Sequence, residues 1–242
     1  MENIIKILKT GDGWIGVEKP CGISIHNDPG NDVLSIVTEM ILTDHVDLQD
    51  IKKKDKVQVQ PVHRLDKDTS GVLLLSFKHE TLKKLSNYFY HGLVHKKYLA
   101  LVHGNFDESE QNQNTWEYPL SKDAGGRNDP AGRGKRIKAE TRFKVLKQSP
   151  HYALLEIKLI TGRKHQIRRH AKLGGHPIVA DQRYGSKKSI QFLMGNCGYN
   201  RLGLHAHSIE IPDMGTSLSI ISKGIPRKMK ALLDQDKSFI RP

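Results

Sequence analysis

Two segments that alternate apolar and polar residues across a short turn constrain the fold of this 242-residue chain most strongly. TRFKVL at 141–146 and HYALLEIKLI at 151–160 show the two-residue period of strands with one buried face. QSP at 148–150 supplies turn-forming residues between them. The pattern therefore predicts an antiparallel pair of strands in this part of the chain.

Further predicted strands and helices alternate along the rest of the sequence. The strand-like segments are 3–9, 14–18, GVLLLSF at 71–77, KKYLALVHG at 96–104, RLGLHAHSIEI at 201–211 and TSLSIIS at 216–222. Helical spacing of apolar residues follows a cap at Asn31 or Asp32 and recurs in 79–90, 162–175 and 226–234. Strands with helices between them predict a single α+β domain over 1–242, with a mostly antiparallel mixed sheet flanked by helices.

The chain carries a large excess of positive charge. Thirty-nine Lys and Arg against 26 Asp and Glu give a formal net charge of +13 and a pI near 9.6. This charge favours RNA or DNA as the partner, although a merely basic surface has the same composition. The stretch 121–138 is rich in Gly, Arg and Lys and predicts a long basic loop, with GGRNDPAGRG at 125–134 as a flexible arm.

The cellular compartment follows from cysteine usage and from the N-terminus. Cys21 and Cys197 provide neither a disulfide framework nor a CxxC metal pair. Glu2, Lys6 and Lys9 interrupt the apolar residues of the N-terminus, so it lacks the apolar core of a secretory signal. No apolar run approaches the ~20 residues needed to cross a bilayer. A cytoplasmic protein is predicted.

Several common chemistries lack the residues that they need. His165 and His170 lie off a common helical face, His205 and His207 have no third ligand nearby, and HExxH is absent, so no metal site is predicted. GxSxG and GxxxxGK[ST] are also absent, which argues against a serine hydrolase and against a P-loop enzyme.

Two charged stretches remain. PVHRLDKDTSG at 61–71 places Asp66 among cations directly before a buried strand, which makes it a candidate nucleophile or base. The alternative is an aspartate that only accepts hydrogen bonds within its loop. GRKHQIRRHAKL at 162–173 contains five Lys and Arg and no carboxylate. Such a helix indicates an anionic partner, either a phosphate backbone or a buried carboxylate, unless it is simply solvated.

These two stretches and three others resemble the RluA family of pseudouridine synthases. In the family's order they are VEKPCG at 17–22, HRLDKDTSGVLLL at 63–75, KKYLALVHG at 96–104, GRKHQIRRH followed by HPIVAD at 162–181, and RLGLHA at 201–206. The family commonly has asparagine where this chain has Glu18. The resemblance is to compact members without an N-terminal accessory RNA-binding domain.

The resemblance implies a pseudouridine-synthase-like domain with a central basic catalytic cleft. It implies an isomerase that converts specific uridines to pseudouridine in ribosomal or transfer RNA. Because this isomerisation conserves the atoms of the nucleotide, no cofactor and no metal are expected. We expect a monomer whose partner is RNA, without a membrane.

The resemblance also assigns roles to single residues. Asp66 looks like the essential aspartate, which attacks the sugar or the base. Tyr98 resembles the tyrosine that stacks on the target base and helps to remove a proton, and Arg168 matches the arginine that pairs with the aspartate. Arg64 matches the arginine that enters the space left by the flipped nucleotide. The cations that fit phosphate contacts are Arg127, Arg133, Lys135, Arg136, Arg163, Lys164 and Arg169.

Two alternatives come from other functional classes. An RNA-binding or RNA-chaperone protein could keep this fold without the chemistry, although the presence of Asp66, Tyr98 and Arg168 favours the enzyme. A metal-dependent nuclease or hydrolase would need carboxylate or histidine clusters that the sequence does not show.

Overall fold

The computed structural model describes residues 5–43, 57–212 and 218–237. The chain forms two compact units, one made of Met1–His95 and Ser208–Lys223, the other of Lys96–His207 and Gly224–Pro242. Residues 3–4 and 216–217, the first residues of two predicted strands, lie outside the described residues. Strands with helices between them are found along the chain, which confirms the predicted α+β class.

The strands, in chain order, are β1 (Lys6–Gly11), β2 (Trp14–Lys19), β3 (Gln60–Pro61), β4 (Ser70–Ser76), β5 (His95–His103), β6 (Thr115–Trp116), β7 (Leu120–Ser121), β8 (Arg136–Ile137), β9 (Thr141–Gln148), β10 (Tyr152–Leu159), β11 (Leu204–Ile211) and β12 (Leu218–Ile221). The helices are α1 (Val33–Leu42), α2 (His79–Tyr90), α3 (Glu108–Gln113), α4 (Gln166–Leu173), α5 (Lys187–Asn196) and α6 (Arg227–Gln235).

The first unit is built around β4, which pairs antiparallel with β2 and with β3. Every residue of β4 is buried, because both of its faces are covered. Leu73 and Leu75 belong to the apolar cluster that includes the buried face of α1, whereas Val72 and Leu74 belong to the cluster that includes Leu85 of α2. A strand buried on both faces is apolar throughout, and this explains the GVLLLSF run.

The second unit contains the predicted antiparallel pair, β9 and β10. Strand β10 lies between β9 and β5, and β6 extends the sheet beyond β9. A bulge interrupts the β9–β10 register between Leu154 and Leu155. Leu101, Leu154 and Met229 form part of a core that α5 and α6 close. The strand pairing expected from TRFKVL and HYALLEIKLI is therefore confirmed.

Two helices were not predicted. α3, with the sequence ESEQNQ, has no apolar period and is stabilised at its start by a capping box between Asp107 and Glu110. α5 buries only Ile190 and Leu193. Two apolar residues are too short a pattern to distinguish a helix from a loop in the sequence.

Candidate functional site

Asp66, the predicted reacting carboxylate, lies in the loop between β3 and β4, and its side chain is half-buried. Its carbonyl oxygen accepts a hydrogen bond from the N–H of Thr69 (3.1 Å), which closes the turn before β4. Earlier in the loop, Nε2 of His63 accepts from the N–H of Leu74 (3.1 Å). The ring of His63 also stacks on Phe89, with centroids 4.8 Å apart. The loop is therefore hydrogen-bonded to β4 before Asp66 and closed by its own turn after Asp66.

The last residue of β2 and the residues that follow it also hold this loop. Lys19 is fully buried, and its ammonium donates to the carbonyl of Lys67 (2.7 Å). The N–H of Gly22 donates to the same carbonyl (3.0 Å), and the thiol of Cys21 donates to the carbonyl of Asp68 (2.9 Å). These contacts explain the VEKPCG block and show that Lys67 and Asp68 contribute through their backbone. The sequence alone assigned neither residue a role.

The charged neighbours of Asp66 point away from this framework. The side chains of Arg64 and Lys67 are exposed. Arg64 is therefore accessible to a ligand in solution. Its predicted entry into the space of a flipped nucleotide stays a prediction.

Tyr98 lies on β5 in the second unit, directly opposite Ile157 of β10, and is 8% exposed. Because side chains alternate along a strand, Lys96 and Tyr98 share one face of β5, and Lys97 faces the other side. Burial lowers the pKa of Lys96. Lys96 was not predicted as a site residue. KKYLA contains two adjacent lysines, and only the alternation of side chains along β5 shows which of them shares a face with Tyr98.

Arg168, on α4, is fixed by a carboxylate that the sequence analysis missed. Its Nε and Nη2 donate to Oδ2 and Oδ1 of Asp181, each at 2.8 Å, and both side chains are buried. Asp181 also accepts from the N–H groups of Arg183 (2.9 Å) and Tyr184 (3.0 Å). Asp66 belongs to the other unit, so its predicted pairing with Arg168 stays a prediction.

The side chain of Gln166 fixes the turn that leads into α4. Its Oε1 accepts from the hydroxyl of Thr161 (2.8 Å) and from the N–H of Arg163 (2.9 Å). Its Nε2 donates to the carbonyl of Glu140 and to the hydroxyl of Thr141, each at 2.9 Å. Both donors and both acceptor positions of this buried amide are used by neighbouring segments. The turn that contains Arg163 and Lys164 is therefore rigid.

Arg169 was predicted to contact phosphate, and the structure gives it a different role. The side chain is fully buried, and burial lowers its pKa. Its guanidinium donates to five backbone carbonyls, those of Ser121, Asp123, Pro130, Ala131 and Lys164. A guanidinium has five N–H donors. Arg169 therefore holds the basic loop from inside and has no donor left for RNA.

The loop 122–135 is also fastened to the turn that follows Asp181. Arg183 donates to the carbonyl of Gly125 (3.0 and 2.6 Å), and the hydroxyl of Tyr184 donates to the carbonyl of Ala124 (2.8 Å). Arg127 donates back to the carbonyls of Gln182 and Gly185. The prediction of a flexible arm at 125–134 is therefore wrong, because charged side chains hydrogen-bond the glycine-rich backbone at several points.

The other predicted phosphate contacts are on the surface of the second unit. Their exposed side chains are those of Arg133, Lys135, Arg136, Arg163 and Lys164. Arg127 is half-buried, and part of its guanidinium is used within the protein. A surface cavity of about 480 Å³ is lined by both cations and carboxylates, namely Arg127, Arg133, Asp123 and Asp129, together with Gly125, Gly126 and Asn128. Contact of these residues with RNA stays a prediction.

Two histidines are buried, and burial disfavours the protonated, charged imidazole of each. Burial lowers the pKa of His170 to about 4 and that of His205 to about 3. Nε2 of His170 lies 2.9 Å from the carbonyl of Tyr118. In the described ranges, no three His, Cys, Asp or Glu side chains are grouped as a metal site would require. The helices of those ranges include none with the length and apolar character to span a membrane.

The sequence and the fold were compared with known proteins. The family model described as RNA pseudouridylate synthase matches residues 13–173. The Ribosomal large subunit pseudouridine synthase C of Haemophilus ducreyi is 33% identical over 236 residues, covering 94% of this chain and 68% of that protein. The protein of the same name from Pasteurella multocida is 35% identical over 238 residues, covering 94% and 67%. The corresponding protein of Vibrio vulnificus is 34% identical over 213 residues, and only 62% of its length is covered.

The chain thus spans about two thirds of the length of these relatives. Among solved structures, Human RNA Pseudouridylate Synthase Domain Containing 4 aligns with a TM-score of 0.69 at 24% identity, covering 94% of this chain and 91% of that chain. Human RNA Pseudouridylate Synthase Domain Containing 1 has the same TM-score at 20% identity, covering 91% and 83%. At these identities the structural matches show the fold alone. They confirm the fold that the resemblance implied.

Proposed function

This chain belongs to the RNA pseudouridylate synthase family, whose members are isomerases that act on RNA, and we propose that it converts uridine to pseudouridine in large-subunit ribosomal RNA with Asp66 as its reacting carboxylate. The names of the relatives, which are ribosomal large subunit pseudouridine synthases, favour ribosomal RNA over transfer RNA. The sequence left ribosomal and transfer RNA open as substrates, and of these two we propose ribosomal RNA.

The observation that carries the proposal is the way the Asp66 loop is held. The loop is hydrogen-bonded to β4 through His63, the hydrogen bond from Thr69 to Asp66 closes its turn, and the buried Lys19 donates to the carbonyl directly after Asp66. A reacting group must keep its geometry while the substrate is rearranged, and rigid strands and buried contacts around it supply this.

In the proposed reaction, the bond between ribose and the ring nitrogen of uracil breaks, and a new bond forms between ribose and a ring carbon. The ionised carboxylate of Asp66 attacks the sugar or the base and is released at the end. After the new bond has formed, the proton on the ring carbon is removed with the assistance of Tyr98, and the ring nitrogen that ribose has left takes up a proton. No atom of the nucleotide is lost overall. The reaction therefore needs neither a metal nor an organic cofactor.

The cationic residues have three separate roles in the proposed reaction. Arg168 provides a positive charge that pairs with the carboxylate of Asp66, and its two hydrogen bonds to Asp181 fix the position of that charge. Arg64 fills the stack when the target nucleotide is flipped, which offsets part of a cost of a few kcal/mol. The half-buried Arg127 and five exposed cations of the second unit contact phosphates and position the RNA; the exposed five are Arg133, Lys135, Arg136, Arg163 and Lys164. The protein acts as a cytoplasmic monomer.

The proposed function is tested by mapping pseudouridines in cellular RNA. Total RNA from cells with and without the gene is compared, and the purified protein is then added to protein-free RNA from the deletion strain without metal or nucleotide. We expect one or a few positions in large-subunit ribosomal RNA to lose the modification and to regain it with the protein. RNA binding without any such position would support the non-catalytic alternative instead.

A further inference from the structure

A row of cations crosses three strands of the second unit. Lys97 of β5 lies directly opposite Lys158 of β10, and Lys158 lies directly opposite Arg142 of β9. Residues directly opposite on adjacent strands project from the same face, with Cβ atoms about 5 Å apart. We call these three residues the cation row. They occupy the face opposite to that of Tyr98, since Tyr98 and Lys97 are neighbours on one strand.

The arrangement is unfavourable for the isolated protein. Like charges directly opposite each other destabilise a sheet. Two of the three charges are neutralised by ion pairs. Nζ of Lys97 lies 3.5 Å from Oε2 of Glu156, and Nη2 of Arg142 lies 2.9 Å from Oε1 of Glu140. Lys158, between them, is exposed and takes part in no ion pair within residues 5–43, 57–212 and 218–237. The charge in the middle of the row therefore lacks an anion.

The row continues into the predicted RNA contacts. After Lys158, the chain runs through an exposed Ile160 to the turn of Arg163. Nε of Arg163 donates to the carbonyl of Lys138 (3.4 Å), and the ammonium of Lys138 lies 4.0 Å from Glu140, the partner of Arg142. One basic strip thus joins the turn before α4 to the outer face of the sheet. Its spacing suits successive phosphates of a nucleic acid strand.

We propose that the cation row is a second RNA-binding surface, which takes phosphates of the substrate RNA at a distance from the modified nucleotide. The proposal rests on the proposed function, because it takes the partner to be the RNA that is modified. Charge complementarity and continuity with Arg163 identify the occupant as an RNA backbone. Contacts to the backbone position the RNA without reading its sequence. The surface contributes affinity, while the chemistry stays on the face of Tyr98.

The test changes Lys158 alone. Lys158→Gln removes the unpaired charge, and Lys158→Glu reverses it between two cations. Binding is measured with protein-free large-subunit ribosomal RNA over a series of salt concentrations. We expect Lys158→Gln to weaken binding three- to tenfold near physiological salt and to reduce the slope of log K against log salt by about 0.7–0.9. Lys158→Glu weakens binding further. Both variants unfold at the same or a higher temperature than the wild type, because repulsion in the row is relieved.

The matched control is Lys230→Gln, which removes one exposed lysine from α6 of the same unit. It separates a local contact from the loss of net charge and should leave the affinity within twofold of the wild type and the salt slope unchanged. If Lys158→Gln binds as tightly as the wild type with the same slope, the second surface is disproved while modification by the wild type still supports the proposed function. A wild type that binds but modifies no uridine contradicts the proposed function separately.

Discussion

The guanidinium of Arg168 is joined to the carboxylate of Asp181 by two hydrogen bonds, each 2.8 Å long, and both side chains are buried. The same carboxylate accepts the N–H groups that begin the next turn, and that turn holds the basic loop through Arg183 and Tyr184. Asp181 thus links the proposed catalytic arginine to the loop that is proposed to bind RNA.

Asp181→Asn should damage both stability and turnover. An amide accepts with one oxygen and carries no charge, so the buried guanidinium of Arg168 loses one hydrogen bond and the negative charge of Asp181. We expect a loss of about 3 kcal/mol in the free energy of unfolding, the low end for breaking a buried pair. We expect turnover at saturating RNA to fall roughly 100-fold, because Arg168 is no longer fixed. Chemical denaturation and single-turnover assays measure the two effects.

Asp234→Asn is the control for this change. Asp234 is an exposed partner of Lys147 and Lys230 on the surface of the same unit. It should leave turnover unchanged and stability close to that of the wild type, since exposed pairs contribute little. Wild-type turnover in Asp181→Asn would show that the pair does not position Arg168.

Arg169→Met should release the basic loop without altering its surface charges. Five carbonyl groups lose their donor, and a buried unsatisfied acceptor costs about 1–3 kcal/mol, so we expect at least about 3 kcal/mol of destabilisation after relaxation. Limited proteolysis should then cut within 122–135, and RNA affinity should fall. Arg133→Gln, which removes an exposed arginine from the same loop, should weaken RNA binding without new cleavage sites. Protection of the loop in Arg169→Met would contradict the assigned role.

The stability of the protein should fall between pH 7 and pH 5 because of His170. Its pKa is lowered to about 4 in the fold, so the unfolded chain takes up a proton near pH 6.5 and the folded chain does not. The stabilising difference is complete above pH 6.5 and declines as the pH falls toward 4. From this shift we expect a loss of about 2 kcal/mol at pH 5 relative to pH 7.5. His205 adds to the same trend.

His170→Gln isolates that contribution. Glutamine stays neutral and can still donate to the carbonyl of Tyr118. The variant should lose about 2 kcal/mol less than the wild type between pH 7.5 and pH 5, measured as the free energy of unfolding in denaturant. Equal losses in both proteins would mean that His170 does not titrate as described.

Much of the fold was predictable because its strands and helices follow regular hydrophobic patterns. GVLLLSF indicated a buried strand, and β4 is covered on both faces. The helix at 162–175 was expected, and α4 ends where Gly174 caps it. Segments stabilised by single polar contacts were not predictable in this way. α3 depends on a capping box, and the loop 122–135 depends on hydrogen bonds from distant arginines.

The site was predictable to the extent that motif and position determine it. HRLD and QIRRH pointed to Asp66 and Arg168, but the two adjacent arginines of α4 have opposite environments that sequence does not distinguish. Arg168 reaches the carboxylate of Asp181, and Arg169 reaches only carbonyl oxygens. Every residue has a backbone carbonyl, so the sequence does not indicate which carbonyls accept hydrogen bonds from a side chain. Asp181 lay in a recognised block, yet its partner is 13 residues away and on another element.

The salt dependence of RNA binding should report the phosphate contacts one at a time. Lys135→Gln and Arg136→Gln should each lower the slope of log K against log salt by about 0.7–0.9 and weaken binding to all RNA sequences alike. Turnover at saturating RNA should not change, because these exposed side chains are proposed to position the substrate without taking part in the reaction. Unchanged slopes would remove these residues from the RNA interface.

The most direct measurement is pseudouridine formation by Asp66→Asn, with Asp68→Asn as a control in the same loop. The account predicts no detectable product from Asp66→Asn, even over long incubation, with RNA affinity and unfolding temperature near those of the wild type. Asp68→Asn should keep most of the activity, since the structure uses the backbone carbonyl of Asp68. Pseudouridine formed by Asp66→Asn at a rate near that of the wild type would contradict the central claim.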